Sequence, residues 1–299
     1  MQEVKIEEEI NIRIDNYLSN LLDESRSKIS KMIKDKYILV NDKEIKASYI
    51  PKCGDIISIE EYQEVMDVVP EKMDLDIVYE DDDVIVVNKA NGVVVHPAVG
   101  NNHGTLVNGL MYHSKNLSSV NGEFRPGIVH RIDAYTTGLL MIAKNDFAHN
   151  FLAQQLQNKT TTRKYLALVW GVIKNDTGTI DAPIGRDIND RKKMAVTAIN
   201  SKEAITHFKA LERYKNATLI ELKLETGRTH QIRVHMNYIG YPVVNDPVYG
   251  RRKIIDNTGQ CLHAKTLGFI HPTTKKYMEF DSELPECFIK IMNMLKEEK

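Results

Sequence analysis

Gly127-Ile128-Val129-His130-Arg131-Ile132-Asp133-Ala134-Tyr135-Thr136-Thr137-Gly138-Leu139-Leu140 is the stretch from which the fold of this chain is read. Its apolar runs, Ile128-Val129 and Leu139-Leu140-Met141-Ile142-Ala143, predict two short buried strands. The polar segment between them ends in Thr-Thr-Gly, a turn signal, and carries one carboxylate, Asp133, beside His130 and Arg131. A loop pinned by core strands is the usual way to hold a charged group rigidly, so Asp133 is the first candidate for chemistry. Taken alone, an aspartate in such a loop is more often a turn cap, and the rest of the chain has to decide.

Length and composition bound the answer. With 299 residues, 42% hydrophobic and 27% charged, the chain is a globular protein long enough for about two domains. No apolar run reaches the ~18 residues of a membrane span, and Met1-Gln2-Glu3-Val4-Lys5 does not read as a signal peptide. Cys53, Cys261 and Cys287 lie far apart, which suits reduced thiols in a cytoplasm and neither a disulfide frame nor a zinc knuckle.

The net charge of −1 hides an uneven distribution. Residues 26–36 set Arg26, Lys28, Lys31, Lys34 and Lys36 against Asp35 alone. Residues 60–83 run from Glu60 and Glu61 to Asp81, Asp82 and Asp83 with Lys72 as the lone cation, as expected of a solvated linker. Local charge, not the total, decides where a phosphate backbone can sit.

Ile14, Tyr17, Leu18, Leu21 and Leu22 have helical spacing, and Ser25 or Ser27 can cap a second helix through Lys36 with Ile29, Met32 and Ile33 inward. Tyr37–Val40, Glu44–Lys46 and Ile56–Ile59 read as strands. Further on, Val84–Val87 is a strand, Thr105 caps a helix through Met111, and Asn145 or Asp146 caps a helix carrying Ala148, Phe151, Leu152 and Leu156. Thr161–Trp170 is a strand with Tyr165, Ala167 and Val169 on one face. Arg186–Lys193 is a polar loop, and 204–212 and 217–225 are antiparallel strands. Ile232, Met236 and Ile239 mark a helix capped by Thr229 and stopped near Gly240, and a last helix runs from Glu286 to about Lys296. Elements mixed this irregularly predict an α+β fold with a largely antiparallel sheet.

Several chemistries are excluded by pattern. No GxGxxG follows a strand and no GxxxxGK[ST] occurs, so nucleotide-cofactor readings have no support. His230 and His235 stand five apart without HExxH, no Cys/His cluster has ligand spacing, and no GxSxG elbow is present.

Two resemblances then decide the matter. Arg-Ile-Asp-x-x-Leu from Arg13, Ser25-Arg26-Ser27, Val40-Asn41-Asp42-Lys43 and Gly54-Asp55 resemble the RNA-binding module named after ribosomal protein S4, with Lys36 where such modules usually place a glycine. His130-Arg131-Ile132-Asp133 with Thr136-Thr137-Gly138-Leu139-Leu140 resembles the signature of the RluA family of pseudouridine synthases. Lys89-x-x-Gly92-x-x-x-His96-Pro97, Lys164–Val169, Thr226–His235, Leu262-His263-Ala264 and Phe269-Ile270-His271-Pro272 are similar to its other blocks, in order. The departures are Ala90 for a common proline, Tyr135 for a frequent acid and Asn245 for a usual glycine.

The resemblance implies an S4-like RNA-binding domain at 11–60, an acidic linker at 61–75 and a pseudouridine synthase domain at 76–299. The activity implied is isomerisation of uridine to pseudouridine in RNA, most readily large-subunit (23S) ribosomal RNA, without cofactor or metal, by a monomer. Asp133 would be the nucleophile, and an ordinary aspartate is already ionised at neutral pH. Its attack on the sugar, attack on the ring, or abstraction of a proton to give a glycal are all compatible with the residues. Arg233 would pair with Asp133, while Tyr165 would lie against the uracil and assist proton removal from C5. Arg131 would fill the space left by a flipped base, whose extrusion costs a few kcal/mol of unstacking. Arg26, Lys28, Lys31 and Lys34 would contact phosphates. The competing readings are a non-catalytic RNA-binding or ribosome-assembly factor and an aspartate-dependent hydrolase. Against the hydrolase stands the lack of a second carboxylate to activate water.

Overall fold

The computed structural model describes residues 2–22, 24–60, 68–97, 101–122, 125–190, 193–250 and 254–297. Part of the expected linker (61–67) and of the 186–193 loop (Arg191 and Lys192) lies outside them. The chain divides into two compact units, Met1–Val65 and Met66–Lys299.

In the first unit, helices α1 (Ile14–Leu21) and α2 (Arg26–Lys34) accompany a three-stranded antiparallel sheet. Its strands are β1 (Gln2–Lys5), β2 (Ile38–Val40) and β3 (Ile56–Ile59), in the order β1-β3-β2. Ile14, Leu18, Ile29, Met32, Ile33, Ile38 and Ile57 form one core. The Ser25 side chain accepts from Lys28 N at 3.2 Å, the expected cap. Lys36 follows α2 at φ 67°, so a lysine does occupy the left-handed position where glycine is easier. Two readings change. Residues 2–5 are an edge strand paired with β3 and not a tail, so this unit starts ahead of residue 11. Glu44–Lys46 form no strand; Lys43 makes only an isolated bridge to Val40.

In the second unit a nine-stranded sheet holds β4 (Ile77–Glu80), β5 (Val84–Lys89), β6 (Thr137–Ala143), β7 (Thr162–Trp170), β8 (Thr177–Asp181), β11 (Ile205–Arg213), β12 (Ala217–Leu224), β13 (Leu262–Ile270) and β14 (Tyr277–Asp281). The order is β4-β5-β6-β13-β7-β12-β11-β8, with β14 on β13; every pairing is antiparallel except β13 with β6. A separate hairpin joins β9 (Ile184–Arg186) to β10 (Met194–Val196). Helices α3 (Leu106–His113), α4 (Asp146–Gln157), α5 (Gln231–Tyr238) and α6 (Glu286–Glu297) complete the unit. One face of β7 puts Tyr165, Ala167 and Val169 into a core shared with α3 and α5, while Leu168 packs towards α6 on the other.

Several expectations are corrected. Residues 68–75 are not a free linker: Asn108 donates to Val69 O at 2.8 Å, Glu71 N donates to Asn108 O at 3.0 Å, and Leu75 joins the core beside α3. Ile128-Val129 is not a strand, since Ile128 makes a single bridge to Ile142. β4, β8, β10 and β14 are short or edge segments whose alternation is too brief to stand out by periodicity. The N-cap of α5 is His230 and not Thr229; His230 is left-handed (φ 57°) and gives no side-chain cap.

Candidate active site

The loop carrying Asp133 is held from below by β6 and β5. Met141 N donates to His130 Nε2 at 3.1 Å, and Thr136 N to Asp133 O at 3.1 Å, closing a turn. Burial, with Arg163 nearby, pushes His130 down to about 3, so it is a neutral acceptor. Gln260 donates to Thr136 Oγ1 at 3.1 Å, and Thr137 shares a 2.8 Å hydrogen bond with His263. Gly138, at φ 109°, brings β6 so close to β13 that a Cβ there would lie 2.3 Å from Ala264 O. Lys89, 2% exposed, donates to Ala134 O at 2.7 Å and Ala90 O at 2.8 Å, bracing the peptide that follows Asp133. Burial lowers Lys89 to about 7, against the opposing pull of Asp133.

The facing wall is the start of α5. With no side-chain cap at His230, Gln231 organises the turn: its Oε1 accepts from Thr226 Oγ1 (2.8 Å) and Arg228 N (2.9 Å), and its Nε2 donates to Ile205 O (3.0 Å). That turn aims Arg233 at the loop. Arg233 Nη1 donates to Asp133 Oδ2 at 2.8 Å, Nε to Asp246 Oδ2 at 2.7 Å and Nη2 to Asp246 Oδ1 at 2.9 Å. Burial alone would lower Arg233, but the hydrogen bonds and charges of Asp246, then Asp133, outweigh it and hold the guanidinium above its ordinary range. Asp246 is fully buried and also accepts from Val248 N (2.8 Å) and Tyr249 N (3.0 Å). Burial opposes its charge, yet Arg233 and these backbone donors keep its carboxyl below the usual range.

A second carboxylate, that of Asp246, thus stands behind Arg233, but not as the water activator a hydrolase would need. It lies beyond the guanidinium with its oxygens committed and no exposure, so it positions Arg233 and does not activate water. His230 Nε2 stands 3.9 Å from Asp133 Oδ1. Tyr249 OH accepts from Met194 N (2.9 Å) and lies 2.8 Å from His230 Nδ1, which ties the imidazole to this wall.

These walls enclose a cavity of about 590 Å³ lined by Asp133, Tyr165, Arg233, Arg131, Arg163 and His230, among others. The four candidates expected in this domain, Asp133, Tyr165, Arg233 and Arg131, therefore share one cavity. Tyr165 is 7% exposed, and burial raises its phenol, which stays protonated at neutral pH. Arg131 is exposed and its Nη1 lies 3.1 Å from His96 Nε2. Burial and then Arg131 lower His96 to about 4, leaving a neutral acceptor. Arg26, Lys28, Lys31 and Lys34 lie on α2 of the first unit. Arg26 donates to the buried Asp15 at 3.1 Å and Lys28 pairs with Glu24, so this basic face is partly engaged within its own unit.

Sequence reasoning missed Lys89, Arg163, His230, Asp246 and Tyr249 as members of the site. Lys89 and His230 stand inside recognised blocks and Asp246 follows Asn245, but only the folded chain shows which of these side chains face Asp133. Asn245 itself is left-handed (φ 61°), and its side chain bonds Gly259 O (2.8 Å) and Ile255 N (2.9 Å), which explains how it replaces a glycine. Tyr135 packs on Gly259 at 43% exposure. No group of three or more His, Cys, Asp or Glu able to hold a metal occurs among the described residues, and among them no helix is long and apolar enough to cross a membrane.

Comparison with known proteins bears on the same segments. The profile of the RNA pseudouridylate synthase family matches residues 83–238, and that of the S4 domain matches 12–57. An uncharacterized RNA pseudouridine synthase, YlyB, of Bacillus subtilis is 54% identical over 97% of this chain and 96% of its own length. Ribosomal large subunit pseudouridine synthase D of Neisseria meningitidis serogroup B is 44% identical over 95% of this chain and 79% of its own. Among solved structures, human RNA pseudouridylate synthase domain containing 1 superposes with a TM-score of 0.58 at 27% identity, covering 75% of this chain and 95% of that one.

Proposed function

Because the chain belongs to the RNA pseudouridylate synthase family, we propose that Asp133 is the nucleophile with which it isomerises uridine, and that the target lies in large-subunit ribosomal RNA. The observation that carries the assignment is the 2.8 Å contact from Arg233 Nη1 to Asp133 Oδ2 at the wall of a cavity that also contains Tyr165. The ribosomal target rests on the 44% identical relative named for the large ribosomal subunit.

The reaction breaks the C1′–N1 bond, turns the uracil and joins C5 to C1′. Asp133 is 17% exposed at its side chain, open enough to meet a flipped nucleotide yet held by a guanidinium that is itself fixed from behind. Tyr165 offers the uracil a flat apolar face. A protonated phenol cannot accept the C5 proton until its own has gone, so packing is the role its state supports. His230 flanks the carboxylate, its Nε2 3.9 Å from Asp133 Oδ1, and Arg131, exposed at the mouth, can occupy the space the base leaves in the helix. The S4 unit presents Lys31 and Lys34 to solvent for phosphate contacts that position the RNA without reading it. The protein works as a cytoplasmic monomer without cofactor.

The test is to map pseudouridines in cellular RNA when Asp133→Ala is the only copy. Loss of specific sites, in large-subunit ribosomal RNA, is expected. Persistence of every site overturns the nucleophile assignment, and loss confined to other RNAs overturns the ribosomal one.

A further inference from the structure

Arg163 lies on β7 two residues before Tyr165 and lines the same cavity. It is 7% exposed, and among the described residues it has no carboxylate partner. Its Nε finds no acceptor, and its guanidinium makes one long contact, Nη2 to Glu225 O at 3.5 Å. A buried, always-charged group left this way is costly to a folded protein unless something completes it.

The neighbouring cations already have partners. Lys159 pairs with Glu203 and Glu225 at 3.2 Å, Arg233 with Asp133 and Asp246, and Arg228 Nε donates to Glu203 O at 2.8 Å. His130 is neutral and already accepts from Met141 N. Arg131 has no such need, because it is exposed to water.

On the reading that this cavity is the active site, we infer that Arg163 binds the phosphate of the flipped nucleotide. A phosphate supplies the full negative charge that the buried guanidinium lacks and fits its fork of donors, where a uracil carbonyl supplies only partial charge. The position agrees. Residues two apart on one strand face are about 7 Å apart, the order of the span from a base stacked on Tyr165 across its ribose to its own phosphate. Neutralising that phosphate inside the cavity also lets the backbone follow the base inward, which Asp133 alone would oppose.

The experiment uses the full-length protein and a synthetic RNA containing the mapped target uridine. Single uncharged methylphosphonate linkages replace the phosphate 5′ or 3′ of that uridine. Wild type should lose about 10- to 100-fold in kcat/KM at one of the two linkages. Arg163→Gln should show a similar loss on ordinary RNA and little further loss on the modified one, while Arg163→Lys should recover part of the activity on ordinary RNA only. If Arg163→Gln remains as sensitive to the methylphosphonate as wild type, or if neither linkage matters, the assignment is overturned. Asp133→Ala separates the two readings: an active Asp133→Ala protein refutes the site, whereas an inactive one with phosphate-sensitive Arg163→Gln refutes Arg163 alone.

Discussion

Asp246 acts on Asp133 through Arg233, and Lys89 through the carbonyl of Ala134, and neither lines the cavity a substrate would fill. Asp246 fixes two of the three Arg233 donors, so its charge is what keeps the guanidinium in register with Asp133. Asp246→Asn should lower the single-turnover rate per folded molecule by roughly 10- to 100-fold and cost about 3 kcal/mol of stability. If melting shifts while that rate is unchanged, Asp246 is structural only. Lys89 gives a pH signature. Its folded pKa of about 7 lies below its unfolded value, so between these the unfolded chain binds more protons and stability rises with pH. The cost of burying its charge is therefore fully felt below pH 7 and relieved as pH climbs towards about 10.4. Denaturant midpoints of Lys89→Met should lack that rise, the slopes differing by at most on the order of 1.4 kcal/mol per pH unit. Parallel pH profiles for the two proteins would refute it.

Among the elements, the parallel pairing of β6 with β13 is the join that places the Asp133 loop beside the rest of the sheet. It consists of His263 opposite Thr137 and Ala264 opposite Gly138. Gly138→Ala would put a methyl group 2.3 Å from a backbone oxygen at a φ of 109°, a conflict no side-chain movement relieves. We expect a loss of about 3 kcal/mol or more, read by chemical denaturation, with activity falling further than the folded fraction because the loop moves. A loss under ~1 kcal/mol would mean the two strands separate easily. This join is not legible in the sequence: Thr-Thr-Gly announces a turn, but nothing local names Ala264 as its neighbour. Long or capped elements are legible, such as α4 behind Asn145 and β7 with its alternating faces. Ile128-Val129 resembles a strand in sequence because two apolar residues bury equally well in a coil. The start of α5 is displaced by one residue from its expected place because Gln231, not a cap side chain, closes the first turn. Of the site, Asp133, Tyr165, Arg131 and Arg233 can be named through their blocks; Asp246 and Arg163 cannot, since their importance lies in partners that folding supplies or withholds.

At the scale of the whole molecule, a protein with net charge −1 has to bind a polyanion by segregating its charges. Acids are engaged internally, as Asp15 is with Arg13 and Arg26, while α2 turns Lys31 and Lys34 outward. Arg26 therefore should be left in place when the RNA face is tested, because Asp15 is 2% exposed and losing a partner would disturb folding as well as binding. Changing Lys28, Lys31 and Lys34 together to alanine should weaken RNA binding and reduce the slope of log K against log salt by about 0.7 to 0.9 for each phosphate no longer neutralised. Turnover at saturating RNA should be unchanged, since none of the three lines the Asp133 cavity. Titrations of wild type and the triple variant across salt concentrations, with melting curves to show both fold alike, give the readout. An unchanged slope would place the RNA elsewhere on the S4 unit, and a fall in saturated turnover would mean that this face does more than hold the RNA.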